Sequence, residues 1–294
     1  MSEKTAGSIY DLGYRHYTGV RLGRRHAVWA LYVHRLRASF GIGRPLSSKM
    51  FPVGLAIIAF LPAAVQLGIA AAGAENARVV QPENYYRYVQ IVLALFCAAV
   101  APELMGRDQR SGTLALYFSR AIGRWDYAFA NFAALISAML AVTVVPQALL
   151  FVGNALAASD FFQYARDEWR QPPAAIASGV LLSVMVAAIG LAIASQTPRR
   201  AYSTVAILAV FVLGSVIGPT LLNVSGHDVG RYSLLLSPFH VVDGFTLWFF
   251  GVSPDAENQL AKADLPGALY ATTAVAVAIA ALGILLWRYR RIVA

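Results

Sequence analysis

Cysteine is almost missing. Cys97 stands alone among 294 residues, which excludes a disulfide framework and a thiolate metal cluster. Charge is scarce as well: 13% of residues are charged, against about 25% in a soluble domain, while 58% are hydrophobic. An ordinary soluble enzyme does not have this balance. Intrinsic disorder is excluded too, because it needs low hydrophobicity and high net charge. Several catalytic patterns are absent. No Gly-x-x-x-x-Gly-Lys-Ser/Thr loop occurs to cradle phosphates, so no ATPase site of its own is expected. No His-Glu-x-x-His occurs either, which removes the common zinc protease site. The apolar runs carry no chain of Asp or Glu, which argues against a proton- or sodium-coupled pump.

What the chain has instead is long apolar runs. A membrane-crossing helix needs about 20 mainly apolar residues. Six runs qualify: about Phe51–Ala72, Tyr88–Met105, Tyr127–Leu156, Ala174–Gln196, Ala201–Leu222 and Leu265–Trp287. A seventh, Leu234–Gly251, is interrupted by Pro238, Asp243 and Gly244 and reads as a re-entrant outer hairpin before the sixth span. The expected fold is an all-α polytopic membrane protein, with a basic tail over residues 1–50 and a six-span domain over 51–294.

The net charge of +9 would suggest nucleic acid in a soluble protein, but its distribution points to a bilayer. With the N-terminus inside, 18 Lys/Arg fall in the inner segments and 6 in the outer ones, while ten of the fifteen acids lie outside. The positive-inside rule therefore puts both termini in the cytoplasm. The first 50 residues hold nine Lys/Arg and no apolar run near the start, so a cleavable signal peptide is not expected. Trp125, Tyr127, Trp287 and Tyr289 mark inner span ends, where amphipathic rings favour the headgroup level.

Within residues 20–44, Trp29, Val33, Leu36 and Phe40 fall on a narrow arc at helical spacing, widened by Val28 and Tyr32. His34, Arg35 and Arg37 lie outside that arc, and Arg21, Arg24, Arg25 and Arg44 bracket it. This pattern predicts an interfacial amphipathic helix lying on an anionic inner leaflet, apolar face down.

The segment after the second run is the most informative. Charges flank an uncharged patch, Ser111 to Ser119. Ser111 or Thr113 is placed to cap a short helix there. Leu114, Leu116, Tyr117 and Phe118 would then form an apolar knob facing the cytoplasm, which reads as a docking site. Glu103 at the inner end of the second run has Arg107 one turn on as a local ion-pair partner.

The pattern Glu103…Arg107-Asp108…Arg110-Ser111-Gly112-Thr113-Leu114…Ser119-Arg120…Arg124…Asp126-Tyr127 resembles ABC transporter permeases of the type-2 export superfamily. Tyr10–Gly19 resembles the start of actinobacterial members, and Leu236-Ser-Pro-Phe-His240 the proline segment before their sixth span. The resemblance implies a permease subunit of an ATP-driven exporter in a bacterial plasma membrane, moving a drug, lipid or other amphiphile. It implies a separate ABC ATPase subunit that binds ATP and Mg, no cofactor in this chain, and a second permease copy or paralogue. It implies that the short helix around Arg110, Ser111, Gly112, Thr113, Leu114, Leu116, Tyr117 and Phe118 couples to the ATPase, and that the interfacial helix contacts it too. Glu103 and Arg107 would form a hinge ion pair.

Two other readings remain open at this point. One is an ATPase-driven mechanical complex acting on a cell-envelope partner. The other is an intramembrane enzyme, for which Asn223-Val-Ser-Gly-His227 offers Ser225 and His227 without a third group to orient them. Scattered polar residues (Gln66, Asn131, Thr143, Gln147, Asn154, Ser195, Ser203 and Thr204) would either line a path or bond across helices.

Overall fold

The computed structural model describes residues 19, 22–43, 45–72, 79–119, 122–225 and 230–291. Residues 10–18 of the N-terminal match, Arg21, Arg44, Arg120 and His227 lie outside the described residues.

Lipid offers no hydrogen bonds, so a spanning backbone must satisfy itself as helix. The described residues hold helices and no strand. They are α1 (Gly23–Ser39), α2 (Leu46–Ala71), α3 (Tyr85–Ser111), α4 (Leu114–Phe118), α5 (Arg124–Ala157) and α6 (Phe161–Asp167). Then follow α7 (Gln171–Gln196), α8 (Arg200–Val224), α9 (Pro238–Phe250), α10 (Gln259–Ala263) and α11 (Gly267–Arg290). Among the described residues six helices, α2, α3, α5, α7, α8 and α11, are long and apolar enough to cross a membrane. They overlap the six runs read from the sequence, most of them extended at their polar ends, while the first ends at Ala71 and the sixth begins at Gly267.

The two central helices are α3 and α7, buried over 72% and 67% of their apolar windows, whereas α8 is buried over 17%. Small residues allow the central approach. Gly190 of α7 lies against Cys97 of α3, leaving no room for a Cβ, and the Cys97 thiol donates to the Val186 carbonyl at 3.4 Å. The α2 helix packs on α5 and α3, α8 on α3, and α11 on α7.

Polar side chains inside the bundle bond across or along helices, as is usual where the alternative is a bare group in hydrocarbon. Tyr85 and Tyr86 donate to the carbonyls of Ala59 (2.5 Å) and Ala175 (2.8 Å). Gln147 donates to Pro82 O at 2.8 Å and Thr204 to Ala98 O at 3.0 Å. Asn131, Thr143 and Ser195 donate to carbonyls of their own helices.

Between α8 and α11 the chain doubles back. A 3-10 turn, Arg231–Leu236, runs along α8, with the Ser233 hydroxyl 2.6 Å from Gly218 O. The reversal comes at Ser237–Pro238, where Gly214 of α8 sits so close to Leu236 O and Pro238 that a Cβ would stand 2.9 Å from each. Ser237 caps α9, accepting from His240 N at 3.3 Å. The α9 helix then returns until Gly244 meets Tyr270 and Trp248 meets Gly267, at the first turn of α11. The seventh apolar run is thus a 3-10 turn followed by α9, and neither is among the six helices long and apolar enough to cross.

Candidate functional site

The end of α3, the start of α5 and the end of α11 meet α1 around one charged pair. Arg35 of α1 and Asp108 of α3 form a buried salt bridge. The Tyr127 hydroxyl of α5 donates to the same Asp108 oxygen at 2.9 Å. The Arg35 guanidinium also lies 5.6 Å from the centre of the Tyr127 ring. Burial alone would lower the Arg35 guanidinium, but Tyr127 and Asp108 together hold it above its ordinary value. Helical spacing puts Arg35 outside the apolar arc, among solvated groups, and the structure corrects this. The most buried face of α1 is Leu31, Arg35, Ala38 and Ser39, on the other side of the helix from Trp29, Val33, Leu36 and Phe40. A buried arginine is tolerated because a carboxylate, a phenol and an aromatic face meet it at once.

The geometry of α1 follows from two sets of side chains. Arg24 and Arg35 both reach acids at inner helix ends: Arg24 Nε and Nη2 clamp Asp126 at 2.8 and 2.9 Å. Tyr32 and Phe40 instead reach groups further along the spans. The Tyr32 hydroxyl bonds Ser137 at 2.9 Å, and Phe40 stacks 5.9 Å from Phe96. Val33, Leu36 and Phe40 are half-buried, and Trp29 is 62% exposed. His34 and Arg37 are exposed.

The short helix α4 hangs from this junction. Gly112 ends α3 at φ +67°, a conformation that costs a residue with a Cβ about 1–2 kcal/mol. The Thr113 N–H bonds Asp108 O at 3.2 Å, so the residue that pairs with Arg35 also anchors the turn into α4. Neither expected cap acts as one. Thr113 sits at the N-cap without a side-chain bond to the helix, while Ser111 Oγ turns back to Arg107 O at 3.0 Å. The α3 terminus competes for the Ser111 hydroxyl, whose bond to Arg107 O turns it away from the start of α4.

The apolar knob is also redistributed. Leu114 is buried at 8%, and Tyr117 and Phe118 are half-buried, while Leu116 is 64% exposed. Tyr117 and Phe118 turn inward onto Tyr127, with ring centres 5.8 and 6.0 Å away, and Tyr289 of α11 completes the cluster at 5.4 Å. Of the four knob residues, Leu116 alone points fully to solvent. One aromatic ring, Tyr127, therefore touches the short helix, the buried ion pair and the last span. Asp108 and Tyr127 stand in the sequence motif, but nothing in one dimension assigns them a role. The signal that could have found them is an acid followed by a tyrosine at the start of the next span, with an arginine in the preceding helix.

Glu103 and Arg107 lie 3.7 Å apart as expected, and a second cation, Arg200 at the start of α8, lies 3.7 Å from the other Glu103 oxygen. Glu103 thus bridges α3 to α8. Arg110 donates to Pro198 O at 3.3 Å in the α7–α8 connection, and Gln109 to Ser195 O at 3.2 Å. Among the described residues no cluster of His, Cys, Asp and Glu is arranged to hold a metal. The outer end has its own charged contact, Asp243 of α9 and Arg87 of α3 at 4.0 Å.

A comparison with curated proteins finds no match. Residues 47–291 match the family described as ABC-2 family transporter protein, from the start of α2 to the end of α11. Members of that family are membrane permease subunits that work with a separate ABC ATPase. With most of its length inside the match, and with six apolar helices in the expected order, this chain belongs to the ABC-2 transporter permease family.

Proposed function

We propose that this chain is the permease of an ATP-driven exporter, and that α4 is the element through which the ATPase subunit moves it. The observation that carries this reading is the seat of α4. Tyr117 and Phe118 fasten it to Tyr127 and Leu114 is buried in the core, while Leu116 remains 64% exposed for a partner. A partner gripping Leu116 would pull on a single aromatic ring that also contacts Arg35, Asp108 and Tyr289. Force entering at α4 would thus reach α1, α3, α5 and α11 together. Packed junctions transmit such displacements because they switch between discrete arrangements rather than deform smoothly.

In this reading Glu103, shared by Arg107 and Arg200, is the hinge between α3 and α8. The α1 helix lies in the inner headgroup layer, Arg25 and Arg37 reaching toward water and Tyr32 and Phe40 toward the apolar side. The Ser237–Pro238 hairpin re-enters the outer leaflet, covered by α8, α7 and α3 as exposed turns in lipid require. Both termini are cytoplasmic, the membrane is the bacterial plasma membrane, and the working unit holds two permease chains with two ATPases. The cargo is an amphiphile such as a drug or lipid, consistent with spans that offer no ionised chain for a small ion.

The test is affinity purification from native membranes in mild detergent, with mass spectrometry of what comes along. A stoichiometric nucleotide-binding subunit that Leu116→Asp releases, with the permease still folded, is the expected result. Repeated recovery of the permease alone in several detergents would sink the reading.

A further inference from the structure

A groove of about 810 Å³ opens between α1 and α5. It takes one stripe from each helix. Arg25, Val28, Trp29 and Tyr32 lie at i, i+3, i+4 and i+7 on α1. Phe129, Ala130, Ala133 and Ser137 follow a similar helical spacing along α5. The mouth is charged and the floor is apolar. At the mouth Asp126 is already neutralised by the two-pronged bond from Arg24. Arg25 beside it has no ion-pair partner among the described residues. At the far end the Tyr32–Ser137 bond closes the gap. From Asp126 to Ser137 the groove follows eleven residues of α5, a rise of about 16 Å. That is close to half of the ~30 Å hydrocarbon core, the depth of one leaflet.

We propose that this groove is a binding site for one anionic phospholipid of the inner leaflet, its phosphate at Arg25 and one acyl chain laid over Trp29, Phe129 and Ala133. Charge complementarity selects the occupant. A free guanidinium at the rim matches a phosphate, and the apolar floor one leaflet deep matches a chain rather than a soluble anion. The volume falls within the range of ordinary ligand sites. The site explains why α1 keeps Trp29 exposed although α1 packs along α5: the ring forms a wall of the groove. A lipid there would fill the space between α1 and α5, so the anionic content of the membrane would set how firmly the α1 end of the junction is held. The proposal rests on the inner-leaflet assignment of α1, but not on transport or on the ATPase.

The test is native mass spectrometry of the full chain in mild detergent, titrated with dioleoyl phosphatidylglycerol or dioleoyl phosphatidylcholine. The expected result is one retained phosphatidylglycerol per chain, in preference to phosphatidylcholine. Arg25→Ala should weaken it about fivefold, the worth of one basic side chain near an anionic surface, and Arg25→Lys should retain most of the binding. Ala133→Phe, which fills the floor, should weaken both lipids. Phosphatidylglycerol with brominated chains should quench a component of fluorescence that Trp29→Phe lacks. Equal retention by wild type, Arg25→Ala and Ala133→Phe would overturn the site, as would equal affinity for the two lipids. A chain lacking residues 1–18 that binds phosphatidylglycerol more tightly would mean that the groove belongs to the chain's own N-terminal segment, which also overturns it. Failure of the ATPase to co-purify would leave these lipid results standing, so the two readings fail separately.

Discussion

The two ends of the bundle are joined by different means. At the end that carries α4, helices meet through side chains that carry charge: Arg35 with Asp108, Arg24 with Asp126, and Glu103 with Arg107 and Arg200. At the opposite end they meet mainly through backbone. Tyr85, Tyr86 and Gln147 donate to carbonyls, and the turn before α9 rests on Gly214, where a Cβ has no room, and on Gly218, where it would be tight. Charge pairs fix a specific partner and lose much when one member is removed, whereas close glycine packing tolerates sliding until bulk is added. The α4 end is therefore held by specific partners, and the opposite end by close packing.

Breaking the buried pair should have the largest effect. Asp108→Ala leaves Arg35 buried without its carboxylate and should cost about 3–5 kcal/mol, read as a large fall in thermal midpoint in detergent. Replacing both, as Arg35→Leu with Asp108→Leu, should recover most of that stability while transport stays low. Recovery of transport as well would mean that the pair serves only the fold.

The two leucines of α4 sharpen the contrast within one short helix. Leu114→Asp should cost about 2–4 kcal/mol, because it places a carboxylate in the buried apolar core. Leu116→Asp should stay within about 0.5 kcal/mol of wild type in stability yet lose the ATPase in a pull-down. Equal destabilisation by the two would contradict the inward and outward faces assigned to α4.

At the outer end, Gly214→Val should cost about 1–3 kcal/mol by forcing the Leu236–Pro238 backbone off α8. It should leave ATPase association intact, which co-purification checks. A loss of association would show that the two ends are not separable.

The smallest effect concerns pH. Burial pushes the Asp243 carboxyl up to about 7, against the opposing pull of Arg87. Its value in the folded protein lies above that in the unfolded chain, so ionising it costs stability. The loss grows as pH rises from the ordinary carboxylate range and is complete above about 7. Asp243→Asn should therefore raise the thermal midpoint more at pH 8 than at pH 5. An equal change at both would remove the buried carboxyl as the cause.

Much of the fold is legible in the sequence alone. The six crossings depend on runs of about 20 apolar residues, a local property that no tertiary contact can overrule in lipid. Pro238, Asp243 and Gly244 are enough to demote the seventh run. The position of α4 is also legible, because Gly112 must end one helix and an uncharged patch follows it. Its orientation is not. Leu114, Leu116, Tyr117 and Phe118 have the same hydrophobic character in one dimension, and only the packed helices, with Tyr127 meeting Tyr117 and Phe118, separate the inward three from Leu116.

Arg35 shows the same limit in sharper form. By helical spacing it belongs to a polar face, and an isolated arginine there would stay in water. The tertiary structure brings Asp108, 73 residues away, and Tyr127, from the next span, to the same point. Burial of a charge is decided by what surrounds it, and that is a property of three helices together. The sequence by itself determined that this chain crosses a membrane, how many times, and where the short helix lies, because solvent and segment length govern those outcomes. Only the tertiary structure decided which face of α1 is buried, which leucine of α4 is free and where a groove remains, because each depends on groups that meet only after the helices pack.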